Sequence, residues 1–174
     1  MAVTSRRSSG QSRSIGSDGS AEFLLLSPED WRLARDARLA ALRDSPTSFL
    51  PTQPPEPSWS ADQWRHSCET GLWAVARARG TVVGLARLTY EKDGPHLGSV
   101  WTHPRHRLNG IAAGLISMLM SKVDGDEIFV WVIRPNRAAI RLYESLGFVR
   151  TDEVHRLDGI GRDEERLRFS AKDG

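Results

Sequence analysis

An unbroken apolar run, Ile128-Phe129-Val130-Trp131-Val132-Ile133, constrains the fold of this chain more than any other segment. A strand points successive side chains to opposite faces, so a strand with one wet face alternates apolar and polar residues. A strand that is apolar on both faces needs cover on both. The run is far shorter than the ~20 residues that span a bilayer. It therefore calls for a sheet with helices on either side, and 174 residues suit a single core of that kind.

The rest of the chain supplies the other layers. Phe23–Leu26 reads as a short buried strand. A helix follows, with Ser27 as N-cap, Pro28 at its first position and Asp30 placed to cap in return. It is expected to run to about Asp44, stopped by Ser45-Pro46. Residues 45–59 hold five of the nine prolines (Pro46, Pro51, Pro54, Pro55, Pro57) and read as an irregular loop. A second capped helix begins at Ser60, with Gln63 as its partner. Strands Leu72–Ala78 and Thr81–Tyr90 are joined by a hairpin at Arg79-Gly80. After a turn-rich break at Glu91–Pro95 comes a strand at Leu97–Thr102, then a helix from about Asn109 to Val123. The last helix starts near Asn136, with Ala139, Leu142, Tyr143 and Leu146 on one stripe, and Gly147 ends it. Phe148–Thr151 and Arg166–Ser170 read as closing strands. The expectation is an α/β fold: a mixed sheet of about seven strands with helices on both faces.

Residues 1–20 are rich in Ser, Gly and Arg and nearly free of large apolar side chains, so they are expected to form a disordered tail ahead of one domain over residues 21–174. The single cysteine, Cys68, excludes an intrachain disulfide and a Cys-based zinc site, and the histidines lack ligand-like spacing, so no metal is expected. No apolar run reaches membrane-spanning length and no signal peptide follows the first arginines, so a cytoplasmic protein with no membrane partner is expected. The net charge of +2 is small and forms no basic stripe, so a nucleic-acid partner is not expected.

The chemistry concentrates in Val100-Trp101-Thr102-His103-Pro104-Arg105-His106-Arg107-Leu108-Asn109-Gly110-Ile111-Ala112. A strand feeds a basic loop and then the start of a helix. First-turn amides have no intrahelical partner and carry partial positive charge. Small residues at Gly110 and Ala112 let an anion approach that backbone, which makes the segment a pyrophosphate cradle. Arg105 and Arg107 add mobile positive charge nearby. No Gly-Lys-Ser/Thr follows, so this is not a Walker loop, and it is not the dinucleotide fingerprint.

Arg107-x-x-Gly110-x-Ala112 resembles the Arg/Gln-x-x-Gly-x-Gly/Ala signature of the GNAT superfamily of N-acetyltransferases. Val100-x-x-x-Pro104 is similar to that family's lead-in, and Asn136 to Phe148 to its second motif. Trp31 to Leu42 looks like its first helix. Many relatives carry glycine where this chain has Leu108. The resemblance implies a sheet splayed in its middle and acetyl-CoA as co-substrate. It places the pyrophosphate on the backbone amides of Leu108, Asn109, Gly110, Ile111 and Ala112, with Arg107 in the same cofactor-binding segment, and the pantetheine along Val100, Trp101 and Thr102 as an added strand. It further implies a pantetheine contact for Asn136 and gives Tyr143 the role of general acid toward the departing thiolate.

The activity so implied is N-acetyl transfer to a primary amine of a small molecule or peptide, by direct attack in a ternary complex. A catalytically weak acyl-CoA-binding sensor or interaction module of the same fold is the alternative. Glu91, His96 and His103 sit at strand ends near the expected cleft, but none is singled out as the base. Of the six tryptophans, Trp59, Trp64 and Trp101 are placed near the acceptor pocket, with Trp64 and Trp101 as substrate contacts. Exposed edge strands offer such a fold a route to a homodimer.

Overall fold

The computed structural model describes residues 21–125 and 127–171. Seven strands form one sheet: β1 (Glu22–Leu25), β2 (Gly71–Ala78), β3 (Thr81–Glu91), β4 (Gly94–Thr102), β5 (Glu127–Ile133), β6 (Val149–Leu157) and β7 (Arg162–Ser170). Their order across the sheet is β1-β2-β3-β4-β5-β7-β6. Only β4 and β5 run parallel; the other neighbours are antiparallel. Four α-helices are present among the described residues: α1 (Trp31–Asp44), α2 (Ala61–Glu69), α3 (Ile111–Met120) and α4 (Arg137–Ser145). The expected mixed seven-strand sheet with helices on both faces is the fold observed.

Strand alternation divides the core in two. On one face Trp73, Val75, Leu85 and Trp101 pack under α1 and α2, with Trp31, Ala34, Ala37, Ala41 and Trp64. On the other, Ala74, Ala76, Ala86, Leu88, Val130, Val132 and Leu167 pack under α3 and α4, with Ile111, Leu115, Leu119, Ile140 and Tyr143. Of β5, Ile128, Val130 and Val132 join the second cluster, while on its other face Phe129 lies under the Arg166 guanidinium and Trp131 stacks on His155.

Local chemistry accounts for most element ends. The Asp30 carboxylate accepts from the Ser27 amide at 2.9 Å and the Ser27 hydroxyl at 2.7 Å, closing a short 3-10 turn that leads into α1. The Ser60–Gln63 capping box opens α2, at 2.8 and 3.3 Å. Gly147 stands at φ 91°, and the amides of Gly147 and Phe148 return to the carbonyls of Glu144 and Tyr143 at 3.1 and 3.0 Å. That pair of bonds is a Schellman ending, and it sets the Phe148 ring edge-on to Tyr143 at 5.4 Å.

Four boundaries differ from expectation. Helix α1 starts at Trp31 rather than Pro28, because residues 28–30 form the 3-10 turn. Strand β4 begins at Gly94, because Glu91 pairs with Gly94 and the expected break is only a tight turn. Strands β6 and β7 form a long hairpin rather than two short segments. Most of β6 is exposed, so water tolerates its polar side chains and the backbone ladder, not an apolar pattern, holds it. Helix α3 starts at Ile111, not Asn109, and ends at Met120, not Val123. Gly110 is its N-cap, in the left-handed region at φ 73°, and Leu108 is also left-handed at φ 63°. Beyond Met120 the chain tightens, with amides of Lys122 and Val123 reaching back three residues.

The proline-rich loop is pinned rather than free. Glu56 accepts from Arg38 Nε at 3.0 Å and Nη2 at 2.9 Å, and both side chains are 5% exposed. The guanidinium lies 4.4 Å from the Phe49 ring centroid, so one pair holds two points of the loop. Removing one partner of a buried pair strands the other charge. Glu56→Gln is expected to lower unfolding stability by about 3–5 kcal/mol in urea titration. A loss below about 1 kcal/mol, the range of an exposed ion pair, would contradict this pinning. The Leu108 side chain is fully exposed, so truncating it sacrifices no packing while relieving its left-handed backbone. Leu108→Gly is expected to stabilise the fold by about 1 kcal/mol, and an unchanged or lower melting temperature would contradict that.

Candidate functional site

The site begins where the sheet comes apart. Strands β4 and β5 pair only at His96–Phe129 and Leu97–Val130. The register with β3 then slips: Arg87 faces Gly98 and Leu85 faces Trp101, so Ser99 and Val100 together oppose Ala86. Ser99 takes φ 54° to do so. A bulge bends its strand and sharpens the twist. Here it accompanies the divergence of β4 from β5, and a cleft of about 500 Å³ opens between them. Val100, Trp101 and Thr102 form one wall, Trp131 to Ile133 the other, and Tyr143 and Asn136 of the α4 region line it as well.

Ladder geometry fixes which backbone groups look into the cleft. The His103 amide donates to the Val83 carbonyl at 2.9 Å, so His103 and, two residues earlier, Trp101 direct their backbone toward β3. Thr102 between them faces away from β3. Its carbonyl accepts from Arg107 Nε at 3.1 Å. Of the Trp101 and Thr102 amides, only that of Thr102 is thus turned to the cleft.

The mouth is a row of free donors. A short turn at Pro104–His106 is capped by His103, whose Nδ1 accepts from the Arg105 amide at 3.3 Å. The first helical bond of α3 runs from the Gly114 amide to the Gly110 carbonyl at 2.9 Å. The amides from Leu108 to Ala113 have no hydrogen-bond partner among the described residues. Left-handed backbone at Leu108 and Gly110 curls this segment, and the helix dipole adds positive potential at Ile111 to Ala113. A curl of unpartnered amides of this kind suits an anion. Leu108, Gly110, Ile111 and Ala112 line the cleft, whereas Asn109 does not.

Two side chains are differently employed than the sequence suggests. Arg107, expected as mobile charge, is tied to the Thr102 carbonyl and to Asp44 Oδ2, the latter at 2.9 Å. Trp101 is buried and donates its indole N–H to the same Asp44 oxygen at 2.9 Å. That hydrogen bond, then the one from Ser45 and the positive charge of Arg107, hold the Asp44 carboxyl below the usual carboxylate range. Asp44 is the site residue the sequence reading missed; it lies 63 residues from Arg107, and no local pattern links them.

Tyr143 does converge on the cleft. Its ring is buried at 4% exposure, and its hydroxyl takes no hydrogen bond among the described residues. Burial pushes the phenol well above its ordinary value. Asn136 caps α4 by accepting from the Ala139 amide at 3.1 Å and lines the cleft at the helix start.

Other expected residues lie elsewhere. Trp64 is 1% exposed, packed between Trp59 and Trp73, and does not line the cleft. Its face of α2 turns onto β2, so it is a core residue and not a surface for an acceptor. Trp59 is spent on the loop, donating Nε1 to the Pro54 carbonyl at 2.9 Å. Glu91 and His96 gather with Asp93 at the β3–β4 turn, their ligand atoms within 4.8 Å of one another, away from the cleft lining. Asp93 there bonds His96 Nε2 at 3.0 Å and pairs with Arg166, whose guanidinium supplies the counter-charge. No described helix is long and apolar enough to cross a membrane.

Comparison with known proteins identifies the fold and the family. Among solved structures, the yncA protein of Salmonella typhimurium with its cofactor acetyl-CoA superposes with a TM-score of 0.67 at 18% identity, over 87% of this chain and 94% of that one. The ribosomal-protein-S18-alanine N-acetyltransferase of Escherichia coli gives 0.64 at 22% identity, over 87% and 94%. A spermidine N-acetyltransferase chimera from Vibrio cholerae gives 0.60 at 18%, over 87% and 96%. At such identities these likenesses establish the fold. No curated protein matches the sequence. The model of the acetyltransferase (GNAT) family matches residues 38–148, well over half of the chain. The chain therefore belongs to the GNAT acetyltransferase family, whose co-substrate is acetyl-CoA.

Proposed function

We propose that this protein moves the acetyl group of acetyl-CoA to a primary amine of a small molecule or peptide, by direct attack within a ternary complex. The observation that carries the proposal is the row of unpartnered amides from Leu108 to Ala113 at the mouth of a cleft that leads to Tyr143. When bound, acetyl-CoA supplies an activated acyl group as a thioester. The chain's own part is to hold and orient. The amides from Leu108 to Ala113 receive the diphosphate. The outward backbone of Thr102 and the cleft edge at Val100 and Trp101 receive the pantetheine as an added strand, with the Asn136 amide beside it. Most of the rate gain then comes from setting amine and thioester together.

Two donors suit the charge that develops. The Thr102 amide faces the cleft and is preorganised by the β4 ladder. Tyr143 keeps its proton through the neutral range, because burial disfavours the phenolate. It can therefore donate to the departing thiolate. Its place in the apolar face of α4 is compatible with that role, since a tyrosine buries its ring and presents its hydroxyl. Proteins of this fold are named both for an alanine of a ribosomal protein and for spermidine, so peptide and polyamine amines are the first acceptors to try.

Release of CoA should be followed with polyamines, aminoglycosides, amino acids and peptides as acceptors. Tyr143→Phe is expected to lower kcat at least about tenfold while the Kd for acetyl-CoA stays within about twofold. Full activity in that variant would remove Tyr143 from the chemistry. Binding of acetyl-CoA with no turnover on any acceptor would favour an acyl-CoA-binding module instead.

A further inference from the structure

The loop that carries the free amides has little of its own to hold it. From Leu108 to Gly110 no backbone amide is bonded among the described residues, and two residues stand at positive φ. Its firmest anchor is the Arg107 side chain. Nε donates to the Thr102 carbonyl at 3.1 Å and Nη2 to Asp44 Oδ2 at 2.9 Å. The same oxygen accepts from Trp101 Nε1 at 2.9 Å and from the Ser45 hydroxyl at 2.7 Å. Asp44 is the last residue of α1, so one carboxylate joins that helix, the end of β4 and the cofactor loop. Ser45, Trp101 and Arg107 all border the cleft.

From this geometry we infer that Asp44 is a positioning residue: through Arg107 it braces the amide-bearing loop in its anion-receiving shape, and Arg107 is a strut rather than a ligand of the phosphates. The inference rests on the cofactor-site reading above. Its physical content is preorganisation, since a loop held in the bound shape loses less entropy on binding. Two of the five N–H groups of Arg107 are held by acceptors on β4 and α1, which fixes the plane and position of the fork. Drawing the guanidinium out toward a phosphate would break its bond to Asp44 and leave that carboxylate without its cation. Arg105, with no ion pair among the described residues, remains as the mobile charge of this loop.

The strut and ligand readings of Arg107 predict opposite signs for one variant. Acetyl-CoA should be titrated calorimetrically into the full chain and into Asp44→Asn, Arg107→Met, Arg107→Lys and the Asp44→Asn/Arg107→Met pair. Asn at 44 can still accept from Trp101, so the variant removes charge with little change of shape. A strut predicts that each single variant raises the Kd about tenfold and that the double variant is no worse than either, because both act on one element. Lysine should fail like methionine, because it lacks the planar fork. Saturated kcat should change little. A phosphate ligand would behave otherwise. Asp44→Asn would free the cation and leave binding unchanged or tighter, and lysine would largely replace arginine. Either result, or additive losses in the double variant, would overturn the inference. No heat with the unmodified chain would overturn the cofactor-site reading and this inference with it.

Discussion

Two parallel strands that lie side by side in the sheet share only two residue pairs. Strands β4 and β5 meet at His96–Phe129 and Leu97–Val130 and then part. The rest of the molecule is arranged around that separation. The extra residue at Ser99–Val100 accompanies the departure of β4, and β5 stays with β7 through seven paired positions. Opening a sheet exposes backbone groups that ordinarily find partners. At Thr102 one such group, the carbonyl, is satisfied by Arg107.

The two faces of the sheet contribute differently to this opening. Beneath α1 and α2 the core is rich in indole: Trp31, Trp64, Trp73 and Trp101 are all buried there. Large rigid rings fill that side and carry polar tips to fixed acceptors, as Trp73 does to the Ser67 carbonyl and Trp101 to Asp44. Beneath α3 and α4 the packing is mostly aliphatic, and two helix starts, at Gly110 and Asn136, come to the cleft. A firm side thus supports β4 while the other side presents helix N-termini. Asp44 links the two, because it ends α1 and grips the loop before α3.

Much of this was legible in the residues. The apolar run of β5 called for cover on both faces, and the caps at Ser60–Gln63 and Gly147 marked helix ends that the structure bears out, while the Ser27–Asp30 box closes a 3-10 turn just ahead of α1. Local signals of that kind travel over a few residues, and the chain states them directly. Where the deciding physics is long-range, the sequence is silent. The β6–β7 hairpin was read as two short strands because an exposed edge strand needs no apolar alternation. Trp64 looked like a surface for an acceptor because indole type says nothing about which face α2 turns inward. The engagement of Arg107 could not be foreseen either, since its partner arrives from the end of a helix far earlier in the chain. The start of α3 was displaced by the left-handed Gly110, which serves as the N-cap and leaves Asn109 outside the helix.

The central claim is that the backbone from Leu108 to Ala113 receives the diphosphate of coenzyme A. Nitrogen-15 correlation spectra recorded during titration with acetyl-CoA test it residue by residue. The account predicts that the amides of Gly110, Ile111, Ala112 and Ala113 move most and move downfield, as donors do on meeting an anion. If those four resonances stayed still while others shifted, or if nothing shifted at saturating ligand, the claim would be wrong.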